Sequence, residues 1–112
     1  MKPIRYVYVA GPLSAPTPDG VMSHVRRAMT VGAQLIDAGL RPFIPHLCVW
    51  LDQKHPRAYE DWLKYDLDWI ERCDALLRIA PSPGTDREVT HALSKGIPVY
   101  TDVDTLLQEA AG

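Results

Sequence analysis

Apolar positions along this chain follow two different periods, and the switches between them mark its elements. Residues Ile4 to Ala10 (IRYVYVA) are largely β-branched and aromatic and stop at Gly11-Pro12, as suits a central parallel strand buried on both faces. Residues 12–20 (PLSAPTPDG) contain three prolines and a glycine and predict a loop. From Val21 the spacing becomes helical, with Val21, Val25, Ala28/Met29, Gly32 and Leu35/Ile36 on one face, and Gly39 provides a left-handed cap after Ala38. A strand follows over 41–44, where Pro42 and Pro45 predict a short or edge element. Residues 46–56 predict a loop with at most a turn of helix. Beyond it come a helix over 57–72, a strand over 74–80, a tight loop over 81–84, a helix over 85–95 ended by Gly96, a strand over 97–101 and a helix over 103–110.

This β-α-β-α-β-α-β-α order predicts an α/β fold: a three-layer, Rossmann-like (flavodoxin-like) parallel sheet of four to five strands with helices on both faces. With 112 residues, no internal repeat and no linker, one domain over 1–112 is expected. In such sheets ligands bind beyond the carboxyl ends of the strands, which points to the loops 11–20, 45–56 and 81–88.

Composition narrows the function. Twelve Lys+Arg stand against 14 Asp+Glu, a net charge of −2, and Arg26-Arg27 is the only adjacent basic pair, so no nucleic-acid partner is expected. Apolar runs are broken by Pro and Gly well before membrane-spanning length, so no membrane partner is expected. Met1-Lys2-Pro3-Ile4-Arg5 lacks the apolar core of a signal peptide, and Cys48 and Cys73 form no CxxC. A cytoplasmic location with both thiols reduced is expected. The four histidines, His24, His46, His55 and His91, lie at no recognised zinc spacing; no dinucleotide or P-loop glycine pattern is present. No metal and no cofactor are expected. A phospho-receiver domain would need acidic residues after the first strand, where this chain has Gly11-Pro12.

Three features do not fit a plain core. In the helix 57–72 the apolar stripe Tyr59, Trp62/Leu63, Trp69/Ile70 has Asp66 at its centre. An inward carboxylate costs several kcal/mol unless it is paired, and its pKa would rise by desolvation, as suits a proton donor. The alternative is an Asp66 at the stripe's edge that caps a loop amide; spacing does not separate the two. Ser82-Pro83-Gly84-Thr85-Asp86-Arg87-Glu88 opens a helix after a buried strand, where free amides make an anion site and Gly84 permits close approach. The same segment has the Thr85-x-x-Glu88 spacing of a capping box, and the local sequence favours that reading. Gly11 and Pro12 end the first strand at the expected ligand edge. Trp50, in the loop 45–56, is the aromatic expected to stack on a ligand.

Together these residues resemble the nucleoside 2-deoxyribosyltransferases and their relatives that hydrolyse nucleoside 5′-monophosphates. The resemblance rests on Tyr8-Val9-Ala10-Gly11-Pro12, then Leu35-Ile36-Asp37-Ala38-Gly39, then Asp66 through Ala75, and finally Ser82 through Glu88 with Ala92 and Gly96. Order and spacing carry it, because no single piece is specific. The short length is similar to a compact bacterial and phage branch. The resemblance implies that Glu88 is a nucleophile attacking C1′ of the sugar, that Asp66 assists departure of the base, and that Tyr8 orients Glu88. It also implies that Ser82 meets a 5′-phosphate, since the nucleoside transferases place an acidic residue there. Within the loop 45–56 only Pro45 and His46 match, so His46 joins Gly11, Pro12, Ser82, Gly84 and Trp50 as an expected substrate contact. Base preference is not legible.

The resulting expectation is N-glycosidic bond cleavage or deoxyribosyl transfer on a small nucleoside or nucleotide, by a homodimer or larger homo-oligomer. The alternatives are a nucleotide-binding sensor on the same fold, and an interaction domain in which Asp66 and Glu88 are structural. Retention of Tyr8, Asp66 and Glu88 together favours the enzyme.

Overall fold

A computed structural model describes residues 3–112; Met1 and Lys2, part of the segment read above for a leader, lie outside the described residues. Four parallel strands form one sheet in the order β2-β1-β3-β4. They are β1 (Tyr6–Ala10), β2 (Arg41–Phe43), β3 (Ala75–Arg78) and β4 (Val99–Tyr100). Five α-helices connect and follow them: α1 (Pro18–Asp37), α2 (Val49–Lys54), α3 (Tyr59–Arg72), α4 (Pro83–Ser94) and α5 (Val103–Ala111). The strand order is that of a flavodoxin-like sheet, and the three layers are those expected.

Alternation along β1 sorts its side chains into two cores. Val7 and Val9 join Ala28 and Leu35 of α1 and Leu106 of α5. Tyr8 and Ala10 point to the opposite face, with Ile70 of α3 and Ala92 of α4. Every residue from Val7 to Ala10 is fully buried, as a central parallel strand requires. β2 is a three-residue edge strand, consistent with Pro42 within it and Pro45 just after it. Gly39 (φ 87°) and Gly96 (φ 72°) end α1 and α4 in the left-handed region, where side chains with a Cβ are strained.

Three differences from expectation bear on the site. α1 begins at Pro18, inside the expected loop: Thr17 is its N-cap, accepting from the Gly20 amide at 3.1 Å, and Pro18 opens the helix without losing a hydrogen bond. The expected loop 46–56 is a 3-10 turn over Pro45–Cys48 followed by α2, two elements too short to leave a readable period. α4 begins at Pro83, not Thr85, because Ser82 is the residue that caps it. Its hydroxyl accepts the Thr85 amide at 3.1 Å, so the Thr85/Glu88 capping box is not formed and Glu88 is left for other work.

On α3 the stripe is also narrower than its pattern. Ile70 is buried and Leu67 packs beside it, whereas Tyr59 and Trp69 are 54% and 41% exposed. Trp69 instead stacks on Phe43 at the sheet's β2 edge, with centroids 4.9 Å apart.

Candidate active site

The chain leaves β1 toward β2 on one side and later enters β3 on the other, so a crevice opens between the carboxyl ends of β1 and β3. A cavity of about 490 Å³ sits there. Gly11 and Pro12 enter it from the end of β1, Pro45 and His46 from the end of β2, Asp66 from α3, and Ser82, Gly84 and Glu88 from the start of α4. Seven expected site residues thus come together around one space: Gly11, Pro12, His46, Asp66, Ser82, Gly84 and Glu88. Tyr8, fully buried, reaches this group from β1 through its hydroxyl.

Tyr8 donates that hydroxyl to the Glu88 carboxylate in a buried hydrogen bond across 80 residues of sequence. Glu88 is 8% exposed, and burial pushes its pKa from 4.5 up to about 7; the Tyr8 hydrogen bond opposes the rise and Asp66 adds to it. Burial likewise raises Asp66 from 3.8 to about 7, with the Tyr8 hydroxyl pulling it down. The phenol itself is held well above its ordinary pKa, first by burial and then by the two carboxyls, so it remains a donor.

One phenol proton cannot serve two carboxylates at once. Glu88 receives it, while Asp66 Oδ1 is buried without a hydrogen-bond partner. An ionised oxygen in that position would be costly, so when the pair holds one proton it belongs on Asp66 and the charge on Glu88. Position therefore separates two carboxyls into an acid and an anion. Tyr8→Phe should remove the hydrogen bond that favours ionised Glu88 and move its titration upward from about 7. Carboxyl-detected NMR titration measures this directly, and an unchanged or lowered pKa would contradict the arrangement.

His46 is buried. Its Nε2–H donates to the Gly11 carbonyl at 3.2 Å, and burial lowers its pKa, so the ring is neutral with Nδ1 as a lone-pair acceptor. Gly11 is required by packing: a Cβ there would stand 2.6 Å from Ile79 Cγ1, a branch of a β-branched side chain with little room to yield. Gly11→Ala should therefore destabilise the fold by about 1–3 kcal/mol in urea titration; an unchanged midpoint would show that the loop after β3 accommodates the methyl. At Gly84 the nearest foreign atom to a Cβ is the Tyr59 hydroxyl at 3.7 Å, so the first turn of α4 is open toward the cavity.

One expected contact is corrected. Trp50 does not line the cavity. It lies on α2, where Val49 and Asp52 face inward and Trp50, about 100° around the helix from Val49, is 46% exposed. Ser82 does line it, its hydroxyl accepting the Thr85 amide and paired with Thr85 Oγ1 at 2.7 Å.

Other lining residues were not singled out by the sequence pattern. Trp62, read above as part of an apolar stripe, forms the cavity's aromatic wall, and its indole N–H donates to Asp52 at 2.7 Å. Asp52 also accepts the Arg57 amide at 3.0 Å, tying α2 to the start of α3. Cys48 faces the cavity with a thiol that burial and then Asp66 hold protonated, which makes it a poor nucleophile. Arg87 and Tyr59 stand together at the rim. Only the separations in sequence hid these pairings.

The fold and cavity define a flavodoxin-like α/β protein with one buried and one half-buried carboxyl and a tyrosine at its topological switch point. Residues 5–102 match a family described as a domain of unknown function, DUF7768, and the chain belongs to that family. No curated protein matches it. Among solved structures it is similar to a 2-deoxyribosyltransferase from the psychrotolerant bacterium Bacillus psychrosaccharolyticus, with 24% identity and a TM-score of 0.58 over 84% of this chain and 69% of that one. It is also similar to a 2-deoxyribosyltransferase from Leishmania mexicana, with 22% identity and a TM-score of 0.60 over 85% of this chain and 61% of that one. At these identities the likeness is one of fold. Among the described residues no helix is long and apolar enough to cross a membrane.

Proposed function

We propose that residues 1–112 act as one catalytic domain that breaks the N-glycosidic bond of a nucleoside or nucleoside 5′-monophosphate. Glu88 is the nucleophile, Asp66 the acid and Tyr8 the group that orients Glu88. The observation that carries this reading is the buried Tyr8–Glu88 hydrogen bond beside an Asp66 oxygen with no partner, in one cavity. The likeness of fold to two 2-deoxyribosyltransferases supports it.

In the proposed mechanism the sugar lies over Glu88 with its base toward Asp66. A Glu88 carboxylate oxygen forms a bond to C1′ as the C1′–N bond breaks, and the proton on Asp66 passes to the departing base. The products of this half-reaction are a free base and a glycosyl ester of Glu88. Asp66, now ionised, then takes a proton from water, or from the N–H of a second base, as that group attacks C1′ and the C1′–O bond to Glu88 breaks. Tyr8 keeps the leaving Glu88 carboxylate hydrogen-bonded throughout. Trp62 offers a face for the base.

Chromatography of the protein incubated with a panel of nucleosides and 5′-monophosphates, with and without a second free base, tests the proposal. Free base alone identifies hydrolysis, and a new nucleoside identifies transfer. Ligand binding with no base release from any member of the panel would replace the enzyme by a nucleotide-binding module.

The proposed assembly is a homodimer or larger. Tyr6, Tyr65 and Trp69 are 50%, 40% and 41% exposed along one face beside β2, an unusual concentration of aromatic surface. Light scattering at low micromolar concentration should give at least twice the 12.5 kDa chain mass, and Trp69→Glu should lower it. A monomer at every concentration would refute the assembly.

A further inference from the structure

The cavity is lined by three carboxylates, Asp52, Asp66 and Glu88, and by a single Lys or Arg side chain among the described residues, Arg87. Arg87 follows Asp86 and precedes Glu88, yet it forms no ion pair with any described carboxylate. Its guanidinium instead donates to the Tyr59 hydroxyl at 3.1 Å and stands 5.3 Å from the centroid of the Tyr59 ring. A phenol holds the group in place and leaves its charge unneutralised. The remaining N–H groups of the planar fork stay available at the rim.

The surroundings fit the same partner. The Tyr59 hydroxyl lies 3.7 Å from the place a Gly84 Cβ would occupy, so Arg87, Tyr59 and the bare backbone of Gly84 share one corner. Gly84 is in the first turn of α4, where an amide has no carbonyl one turn back to bond. Ser82 lies at the same helix end, where its hydroxyl accepts the Thr85 amide. Arg87 also lies next to Glu88 on α4 and so projects about 100° around the helix from it. A ligand arm that reaches Arg87 is therefore a different part of the molecule from the carbon facing Glu88.

We propose that Arg87, positioned by Tyr59, binds the phosphate of a phosphorylated sugar at the cavity rim and selects nucleoside 5′-monophosphates over nucleosides. This rests on the glycosidase reading for the identity of the sugar. A guanidinium fork matches phosphate oxygens in pairs, and an anion here offsets the one cation in an otherwise acidic cavity. Tyr59 is a positioning residue, since it acts through Arg87.

Binding and turnover are measured separately. Calorimetry with D-ribose 5-phosphate and with D-ribose reads the site without any reaction, and kcat/KM for a nucleoside and its 5′-monophosphate reads its use. For Arg87→Gln, affinity for ribose 5-phosphate should fall roughly 10- to 100-fold, as should kcat/KM for the monophosphate, while kcat/KM for the nucleoside holds within about twofold. Tyr59→Phe keeps the ring and loses the hydroxyl; it should raise KM for the monophosphate several-fold and leave kcat unchanged. Both residues are exposed, so circular dichroism should show native melting for each variant. Ribose 5-phosphate binding that is absent in the wild type, or unaffected by Arg87→Gln, overturns the inference, as does an equal loss for nucleoside and monophosphate. If no glycoside is cleaved yet ribose 5-phosphate binding still depends on Arg87, the reaction is wrong and the phosphate site stands.

Discussion

Glu88→Ala should reduce base release on the order of a thousandfold or more while the protein remains folded. On the proposed mechanism this substitution removes the nucleophile and with it the covalent route. The Cys48 thiol is held protonated, and the Ser82 and Thr85 hydroxyls bond to each other. The helix does not depend on Glu88, because Ser82 caps α4. What Glu88→Ala leaves behind is a buried Tyr8 hydroxyl without its acceptor, which costs about 1–3 kcal/mol. Glu88→Gln keeps an acceptor and should be equally inactive with a smaller loss of stability. Turnover near the wild-type rate in both variants would remove Glu88 from the chemistry.

The same residue gives stability an uncommon pH dependence. The folded pKa of Glu88, about 7, lies above its ordinary 4.5. Between those values the native state binds more protons than the unfolded chain, so this group's effect on stability worsens as pH rises from 4.5 to about 7 and is constant beyond. The wild type should lose melting temperature between about pH 5 and about pH 8, and Glu88→Gln should flatten that decline. A wild type whose melting temperature rises across this range, with no effect of Glu88→Gln, would show that Glu88 is not desolvated.

Asp66→Asn is expected to lower kcat by roughly 10²- to 10⁴-fold with a much smaller change in KM. The amide fills the same space and can still hydrogen-bond, but it cannot deliver a proton to the departing base. Wild-type activity should follow a bell centred near neutrality, because the working state is the pair with one proton and both members titrate at about 7. Its rising limb reports ionisation of Glu88 and its falling limb loss of the proton from Asp66. Asp66→Asn should abolish the falling limb. Its rising limb should stay in place, because Glu88 ionises there beside a neutral Asp66. Retention of both limbs in Asp66→Asn would assign the acid to another group.

Much of this site was legible before any coordinates. A Glu after a Pro-Gly turn and an Asp at the centre of an apolar stripe are local anomalies, each visible within one or two turns of helix. Their physical meaning was not local. The Glu88 spacing matched a capping box until the helix proved to start two residues earlier, at Pro83 with Ser82 as cap. Asp66 could have capped a loop until its Oδ1 was found buried without a partner. Trp50 and Trp62 exchanged roles for a related reason. Near Trp50 the chain is helical, not extended, and each residue step turns a side chain by about 100°.

By itself the sequence determined the alternation of strands and helices, the left-handed ends at Gly39 and Gly96, the burial of β1 on both faces and the crevice at its end. Those properties depend on backbone propensity, on period and on the rule that parallel strands need crossovers, all of which operate over a few consecutive residues. Only the tertiary structure decided that His46 is buried against Gly11, that Asp52 holds Trp62 and that Tyr59 holds Arg87. Each of these joins side chains from separate elements, and their meeting depends on strand order and on the rotation of each helix about its axis. A one-residue change in where a helix starts alters that rotation without altering the hydrophobic pattern, so the pattern cannot encode it.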